Sequence, residues 1–507
     1  MGKKALITGT IVLTATSFVT RILGFIFRIY MSNIMGAEGL GLYQLIFPIY
    51  MLIWSLCSAG ISLAVSKQVA EHTAKRHHGD AARVLKSSIM IALSIGLCLS
   101  LFIFTFAPWI ATYFINEPTT TLSLRYLCFC IPFMCTACCI RGYFQGRQEM
   151  AVSGIAQVIE QVARMIIIYV FSSFYIPKGL AYVCALGTLG LCAGELMSCL
   201  FTLLMFKLKQ RKLPYHKATL PYLATMSTLL TIAIPITANR FLMSALSSIE
   251  NILIPIQLQK FGLTGSEALS MYGMFSGMAL PLLFFPSMVT MSISTALVPA
   301  ISEAVTQKNT RVLHRTVSKS IQFSALIGIG ASSLFLALGD EIAMACYGLP
   351  EVGEMLRLLA IICPFLYLQN ILTGMLNGLG LQRLTFKGNV MASVLCIGCI
   401  LILVPQRGIV GFILAMLFQS SFATLYHLFH VLKHIDLCVD LVGWFIRPTL
   451  AAVPGCLIMK YFYTHYLMPL FSFQLSTFIA ISILGLFYLI FLFCFRSLKW
   501  EDVKMFF

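Results

Sequence analysis

Long apolar runs recur along this chain, separated by short polar segments. Ile89 to Ala107 and Thr477 to Phe495 are two examples. Each is long enough to cross a hydrocarbon core about 30 Å thick, which takes about 20 helical residues. Fourteen spans are expected, at about 5–31, 41–66, 88–114, 122–143, 150–173, 180–206, 224–254, 269–298, 319–338, 353–378, 388–404, 409–432, 443–463 and 474–495. The pattern predicts an all-α, polytopic membrane protein. An even number of crossings puts both termini on one side.

Charge decides which side. One set of loops carries Lys67, Lys75, Arg76, Arg83 and Lys86, then Arg141 and Arg147, then Lys207, Lys209, Arg211, Lys212 and Lys217. The same set continues with Lys308, Arg311, Arg315, Arg383 and Lys387. The opposite set has little beyond Lys178, Lys260 and Arg407, and holds acidic Glu117, Asp340, Glu341 and Glu351. Basic loops stay in the cytoplasm, so both termini are expected there.

Composition fits the pattern. The chain is 59% apolar and only 10% charged, against roughly 25% charged in a soluble domain. A net charge of +17 would suggest nucleic acid in a soluble protein; here the basic residues sit in short loops, and no nucleic-acid partner is expected. Most of the 17 cysteines lie within apolar runs, where free Cys acts as a small buried hydrophobe. The CxxC pairs Cys135/Cys138 and Cys396/Cys399 fall inside expected spans and read the same way. Ala5 to Met31 is longer than a signal-peptide core and carries arginines, so it reads as a first membrane helix.

The chain also repeats itself. Ala64 to Glu71 (AVSKQVAE) ends the second span, and Ala296 to Glu303 (ALVPAISE) ends the eighth, 232 positions later. Pro132-Phe133, Gly142 and Gly146 return as Pro364-Phe365, Gly374 and Gly378 at the same offset of 232. Ile176 to Gly179 precedes span six as Val404 to Gly408 precedes span twelve. These matches predict two pseudo-symmetric six-helix lobes, residues 1–215 and 216–436, followed by two extra helices and a short cytoplasmic tail in 437–507. Six spans per lobe preserve orientation, so the repeat is parallel. Transporters commonly place their substrate between such repeats.

Ionisable residues within a span cost at least about 2.5–3.5 kcal/mol on insertion scales and usually face a cavity or a partner. In span 1, Thr10, Thr14, Ser17, Arg21 and Arg28 fall within about 60° of one another at 100° per residue. Arg28 lies near the span's end and either snorkels to the interface or serves function; Arg21 is deeper and is the better functional candidate. In span 7, Arg240, Ser244, Ser247 and Asn251 share one face, with Glu250 beside it; a functional stripe and a structural ion pair are both open. Glu160 and Arg164 in span 5 are four apart and can pair on one helix surface. Glu195 in span 6 has no evident local partner, and either neutralises an arginine or binds a coupling proton or cation. Asn370, Thr373 and Asn377 line one face of span 10, where interhelical hydrogen bonding is expected.

Catalytic signatures are absent from the sequence: there is no GxxxxGK[ST] phosphate loop and no HExxH, and the loops have no room for a soluble catalytic domain. A non-enzymatic protein without a cofactor is expected. His77 and His78 lie in a basic loop and read as a solvated face.

Several segments resemble the stage V sporulation protein B-like branch of the polysaccharide transporter family. They are Thr20 to Ile29, Met35 to Tyr43, Ala64 to Glu71, Gly142 to Gly146, Gln157 to Arg164, Thr237 to Arg240, Ser248 to Asn251, Gly277 to Pro281 and Leu297 to Glu303. That branch belongs to the multidrug/oligosaccharidyl-lipid/polysaccharide exporter superfamily and is related to lipid II flippases. The resemblance implies two six-helix lobes around a central cavity plus two further helices, alternating access, and a polyprenyl-diphosphate-linked oligosaccharide or peptidoglycan precursor as cargo. Arg21 and Arg28 match the arginine-rich motif of the flippases' first helix, with one residue more between them. Span 2 lacks the flippases' arginines and span 8 is uncharged, so Arg240 is expected to compensate. Arg21, Arg28, Arg240, Ser17, Ser247 and Asn251 are therefore the expected substrate contacts, with Glu250, Glu160, Arg164 and Glu195 balancing charge or coupling to a proton or cation. The expected partners are the lipid-linked saccharide and membrane lipids, and the expected state is a monomer. The alternatives are a multidrug exporter of the same superfamily, a membrane-embedded glycosyltransferase or polymerase, and a non-transporting scaffold.

Overall fold

The computed structural model describes residues 3–211, 219–435, 440–495 and 497–498, with side chains from residue 15 onward. Lys212, Lys217, the side chains of Thr10 and Thr14, the expected lobe boundaries at 215/216 and 436/437, and the tail from residue 499 lie outside the described residues.

Every described element is a helix. In chain order they are α1 (Lys3–Trp54), α2 (Gly60–Ala74), α3 (His78–Trp109), α4 (Thr121–Gly146), α5 (Met150–Tyr175), α6 (Leu180–Gln210), α7 (Tyr222–Lys260) and α8 (Gly265–Tyr272). There follow α9 (Leu280–Thr306), α10 (Thr310–Tyr347), α11 (Pro350–Leu359), α12 (Cys363–Gly378), α13 (Gln382–Ile435), α14 (Arg447–Phe462), α15 (Met468–Leu470) and α16 (Phe473–Cys494). Among the described residues, 12 helical stretches are long and apolar enough to cross a membrane, where the sequence suggested fourteen. The difference has a local cause. The stretches Ala15–Ala74 and Gln382–Ile435, of 60 and 54 residues, are each broken by a glycine in left-handed backbone, Gly36 (φ 67°) and Gly408 (φ 58°). Each break falls between two of the spans expected from the sequence, and a helix continuing past it starts in a new direction.

Two compact units form, Met1–Ile252 and Leu253–Phe507. In the first, α4 packs on α2, α3 and α6, and α5 packs on α1 and α6. Most of α7 belongs to this unit: Ser248 donates a hydrogen bond to the Pro48 carbonyl (3.1 Å), and Gly60 of α2 leaves room for Thr237 and the Ala233 carbonyl. In the second unit, α12 packs on α9, α10 and α13, while α10 carries α14 and α16. Large apolar side chains such as Leu101, Trp109, Leu223 and Phe478 stand exposed on the units, as expected of surfaces solvated by lipid.

The internal repeat is written in backbone geometry. A Cβ on Gly142 would sit 2.6 Å from the Ser62 carbonyl oxygen, and one on Gly374 would sit 2.5 Å from that of Ser294. Gly146 meets the Ser66 carbonyl (2.5 Å) and Val69, as Gly378 meets the Val298 carbonyl (2.9 Å) and Ile301. All of these partners are 232 positions apart. The ten described residues with positive φ also fall into five pairs: Gly36 with Gly262, Arg76 with Lys308, Asn116 with Gly348, Gln148 with Gly380, and Gly179 with Gly408. The three middle pairs keep the offset of 232, and the outer two are displaced by a few residues.

Candidate functional site

Small residues set up the site in the first unit. Helix α6 carries Gly187, Gly190 and Gly194, spaced so that neighbouring backbones approach closely. A side chain on Gly194 would come within 2.8 Å of the Glu160 carbonyl, and Gly190 lies against Ile168 and the Arg164 carbonyl. This brings α6 onto α5 and sets Glu195, next to Gly194, against charges of neighbouring helices.

The result is a five-residue polar network. Glu160 takes both arginines: its Oε1 accepts from Arg164 Nη2 at 3.0 Å and its Oε2 from Arg141 Nη1 at 3.3 Å. Arg141 Nη2 also lies 3.8 Å from Glu195 Oε2. The Tyr50 hydroxyl of α1 donates to Glu195 Oε1 at 2.9 Å. The Glu195 side chain is 3% exposed, and those of Arg141, Arg164 and Glu160 are 14%, 16% and 17% exposed. With two cations and two anions the cluster can be neutral, the arrangement that makes buried charge tolerable. Glu195 Oε2 and Arg164 Nε are buried without a hydrogen-bond partner, so the network has unused donor and acceptor capacity at its centre.

The expected residues divide between this network and two other surfaces. Glu160, Arg164 and Glu195 are in the network. Glu195, which looked partnerless in sequence, is held by Tyr50 and Arg141. Arg141 looked like a loop charge; it sits within α4, one turn before its end. Neither Arg141 nor Tyr50 was among the residues singled out from sequence, because an arginine near a span end and a tyrosine in an aromatic run are both common. On α1, Arg21 is exposed and Ser17 and Arg28 are partly buried. On α7, Arg240 and Ser247 are exposed and Glu250 and Asn251 partly buried. The Asn251 amide donates to the Ser247 carbonyl (2.7 Å) and lies 3.4 Å from its hydroxyl, so these two share a face. On α12, Asn370 Nδ2 reaches Thr290 Oγ1 of α9 at 3.5 Å, and its carbonyl accepts from Ser294 (2.6 Å). Of the cysteines, Cys138 donates to the Ser58 carbonyl across helices (3.4 Å).

The fold is one known from transporters. It matches the solved inward closed conformation of the lipid II flippase MurJ at a TM-score of 0.71 and 16% identity, covering 96% of this chain and 99% of that one. It also matches an inward-facing multidrug resistance MATE family transporter of the MOP superfamily at a TM-score of 0.67 and 15% identity, covering 82% and 94%. This is a multi-pass membrane protein. Residues 6–305 match the model of the polysaccharide biosynthesis protein family, and the chain belongs to that family; residues 235–401 also match the MatE model. Among curated relatives, stage V sporulation protein B of Bacillus subtilis (strain 168) is 28% identical over 516 residues, covering 99% of this chain and 98% of the relative. The lipid II flippase MurJ of the same organism is 29% identical over 169 residues, 32% of this chain and 31% of that one.

Proposed function

We propose that this protein is a flippase for a polyprenyl-diphosphate-linked saccharide, carried from the cytoplasmic to the outer leaflet of a bacterial cytoplasmic membrane by alternating access. The observation that carries the reading is the placement of permanent cations on membrane helices, Arg21 and Arg28 on α1 and Arg240 on α7. A diphosphate cannot cross hydrocarbon alone, and guanidinium groups bind phosphate oxygens bidentately. Similarity to a lipid II flippase in both sequence and fold supports the same cargo class. Ser17 on α1 and Ser247 and Asn251 on α7 are proposed as further substrate contacts, and Glu250 as a charge-balancing residue. The protein works without catalysis or cofactor, as a monomer whose lobes are 1–215 and 216–436, with 437–507 adding two helices, fourteen crossings in all.

The buried network is the proposed coupling element. The carboxyl groups of Glu195 and Glu160 face the guanidinium groups of Arg141 and Arg164, and a proton or cation entering there would change the balance of charge. Both termini are proposed to be cytoplasmic, from the loop charges.

The test is a leaflet assay in proteoliposomes with a fluorescent polyprenyl-diphosphate saccharide. Properly inserted Arg21→Ala and Arg240→Ala variants should lose most flipping; full retention by both overturns the reading. The match to MatE and to multidrug transporters favours one second reading, export of drugs. Drug-resistance profiling on expression separates the two, since cationic drugs are poor ligands for a cationic surface.

A further inference from the structure

The turn between α2 and α3 gathers chemistry that transport does not use. Arg76 adopts left-handed backbone (φ 61°), and the His77 amide donates back to the His72 carbonyl at 2.9 Å. This closure puts His72, in the last turn of α2, beside His77 and Asp80 at the start of α3. One ligand-capable atom from each of the three lies within 4.8 Å of the others. His77 Nδ1 stands 3.8 Å from Asp80 Oδ2. His72 Nδ1 is buried with no hydrogen-bond partner.

Asp80 is held in place from behind. Its Oδ1 accepts from the backbone amides of Thr219 (2.7 Å) and Leu220 (3.1 Å), and its Oδ2 from the Thr219 hydroxyl (2.8 Å). Oδ2 keeps a lone pair on the histidine side. A carboxylate oriented by hydrogen bonds while one oxygen faces two imidazoles is the arrangement that supporting residues impose on metal ligands. The fold itself does not call for these side chains. The equivalent turn 232 positions later keeps the same backbone, with Lys308 at φ 53°, but carries Ala304, Asn309 and Val312. There Asn309 caps its helix by accepting from the Val312 amide (3.2 Å), whereas His77 makes no side-chain cap.

We infer that His72, His77 and Asp80 form a binding site for a zinc-class divalent transition metal. Two imidazoles and a carboxylate are a common three-ligand set for tetrahedral zinc, with water in the fourth position. Neighbouring ligands in such a shell stand about 3.4 Å apart for bonds of about 2.0–2.1 Å, so the three need only a small inward rotation. Imidazole selects zinc, nickel, copper or cobalt over magnesium and calcium. Because Asp80 also binds residues 219 and 220, which lead into α7, the bound metal would brace the α2–α3 turn and, through it, the entry to α7.

The experiment uses the full-length protein without a histidine tag, loaded with zinc, dialysed and assayed for metal by mass spectrometry. The thiols make differences between variants the informative readout. Wild type should hold one more equivalent of zinc than the His72→Ala/His77→Ala variant, and zinc should raise its unfolding temperature but not the variant's. Thr219→Ala, which leaves all three ligands in place, should weaken zinc binding about tenfold. Equal zinc content and equal zinc-induced stabilisation in wild type and the double-histidine variant overturn the proposal, as does displacement of the extra zinc by equimolar magnesium.

Discussion

Glu195 lies in α6 with its side chain 3% exposed, and its position is explained by residues remote in sequence. Tyr50 is 145 positions away and Arg141 is 54. Only Glu160–Arg164, four apart on one helix, was legible from spacing, because helix geometry alone decides it. The Arg141–Glu195 contact depends on how closely α6 approaches its neighbours, which no periodicity reports. Removing one partner of a buried ion pair leaves an uncompensated charge and costs about 3–5 kcal/mol. Arg141→Ala should therefore lower the unfolding temperature of the purified protein sharply, and Arg141→Lys much less. The Arg141→Ala/Glu195→Gln double variant should be less destabilised than the sum of its parts, as expected of groups in contact. Additive losses would show that the two side chains do not interact.

At the scale of elements, glycines say where helices touch. Gly142 and Gly374 were recognised in sequence as repeat partners, and each proves to lie against a serine carbonyl of the helix it packs on. Adding a methyl there forces the helices apart, at about 1–3 kcal/mol. Gly142→Ala and Gly374→Ala should thus each lower thermal stability, and by similar amounts. Gly398→Ala is the control: nothing lies within 4 Å of its Cβ position, and alanine favours helix by up to about 1 kcal/mol, so stability should hold or rise. The positions of the helices were readable because apolar runs of membrane length are unambiguous. The breaks within the two longest stretches were legible as well, since Gly36 and Gly408 fall in the gaps between expected spans; their left-handed backbone shows how the chain changes direction there.

At the scale of the molecule, the asymmetry of loop charge makes a prediction about orientation. A cysteine placed at Gln307 should react with a membrane-impermeant thiol reagent only after the cytoplasmic side is opened. One placed at Glu351 should react from outside in intact cells. The native cysteines set the background, which the unsubstituted protein measures. Reversed labelling would invert the assignment and, with it, the proposed direction of transport. Class and repeat were legible at this scale because they reside in composition and in long-range periodicity. The cargo was not, since a ligand leaves no periodic trace and is recognised by a few side chains whose neighbours only folding decides.

The five paired left-handed turns carry a history as well as a geometry. Backbone shape has been kept at matched positions while side chains changed, so that Asn116 and Gln148 stand where the other copy has glycine. Gene duplication and fusion from an ancestor of about half this length accounts for that record. Once two copies existed, one could keep the ancestral shape while the other gained chemistry. The turn with His72, His77 and Asp80, beside its sister with Ala304, Asn309 and Val312, is where that divergence is easiest to see. Sequences of close homologues should therefore hold the turn's backbone constant in both copies, and keep His72, His77 and Asp80 together or lose them together.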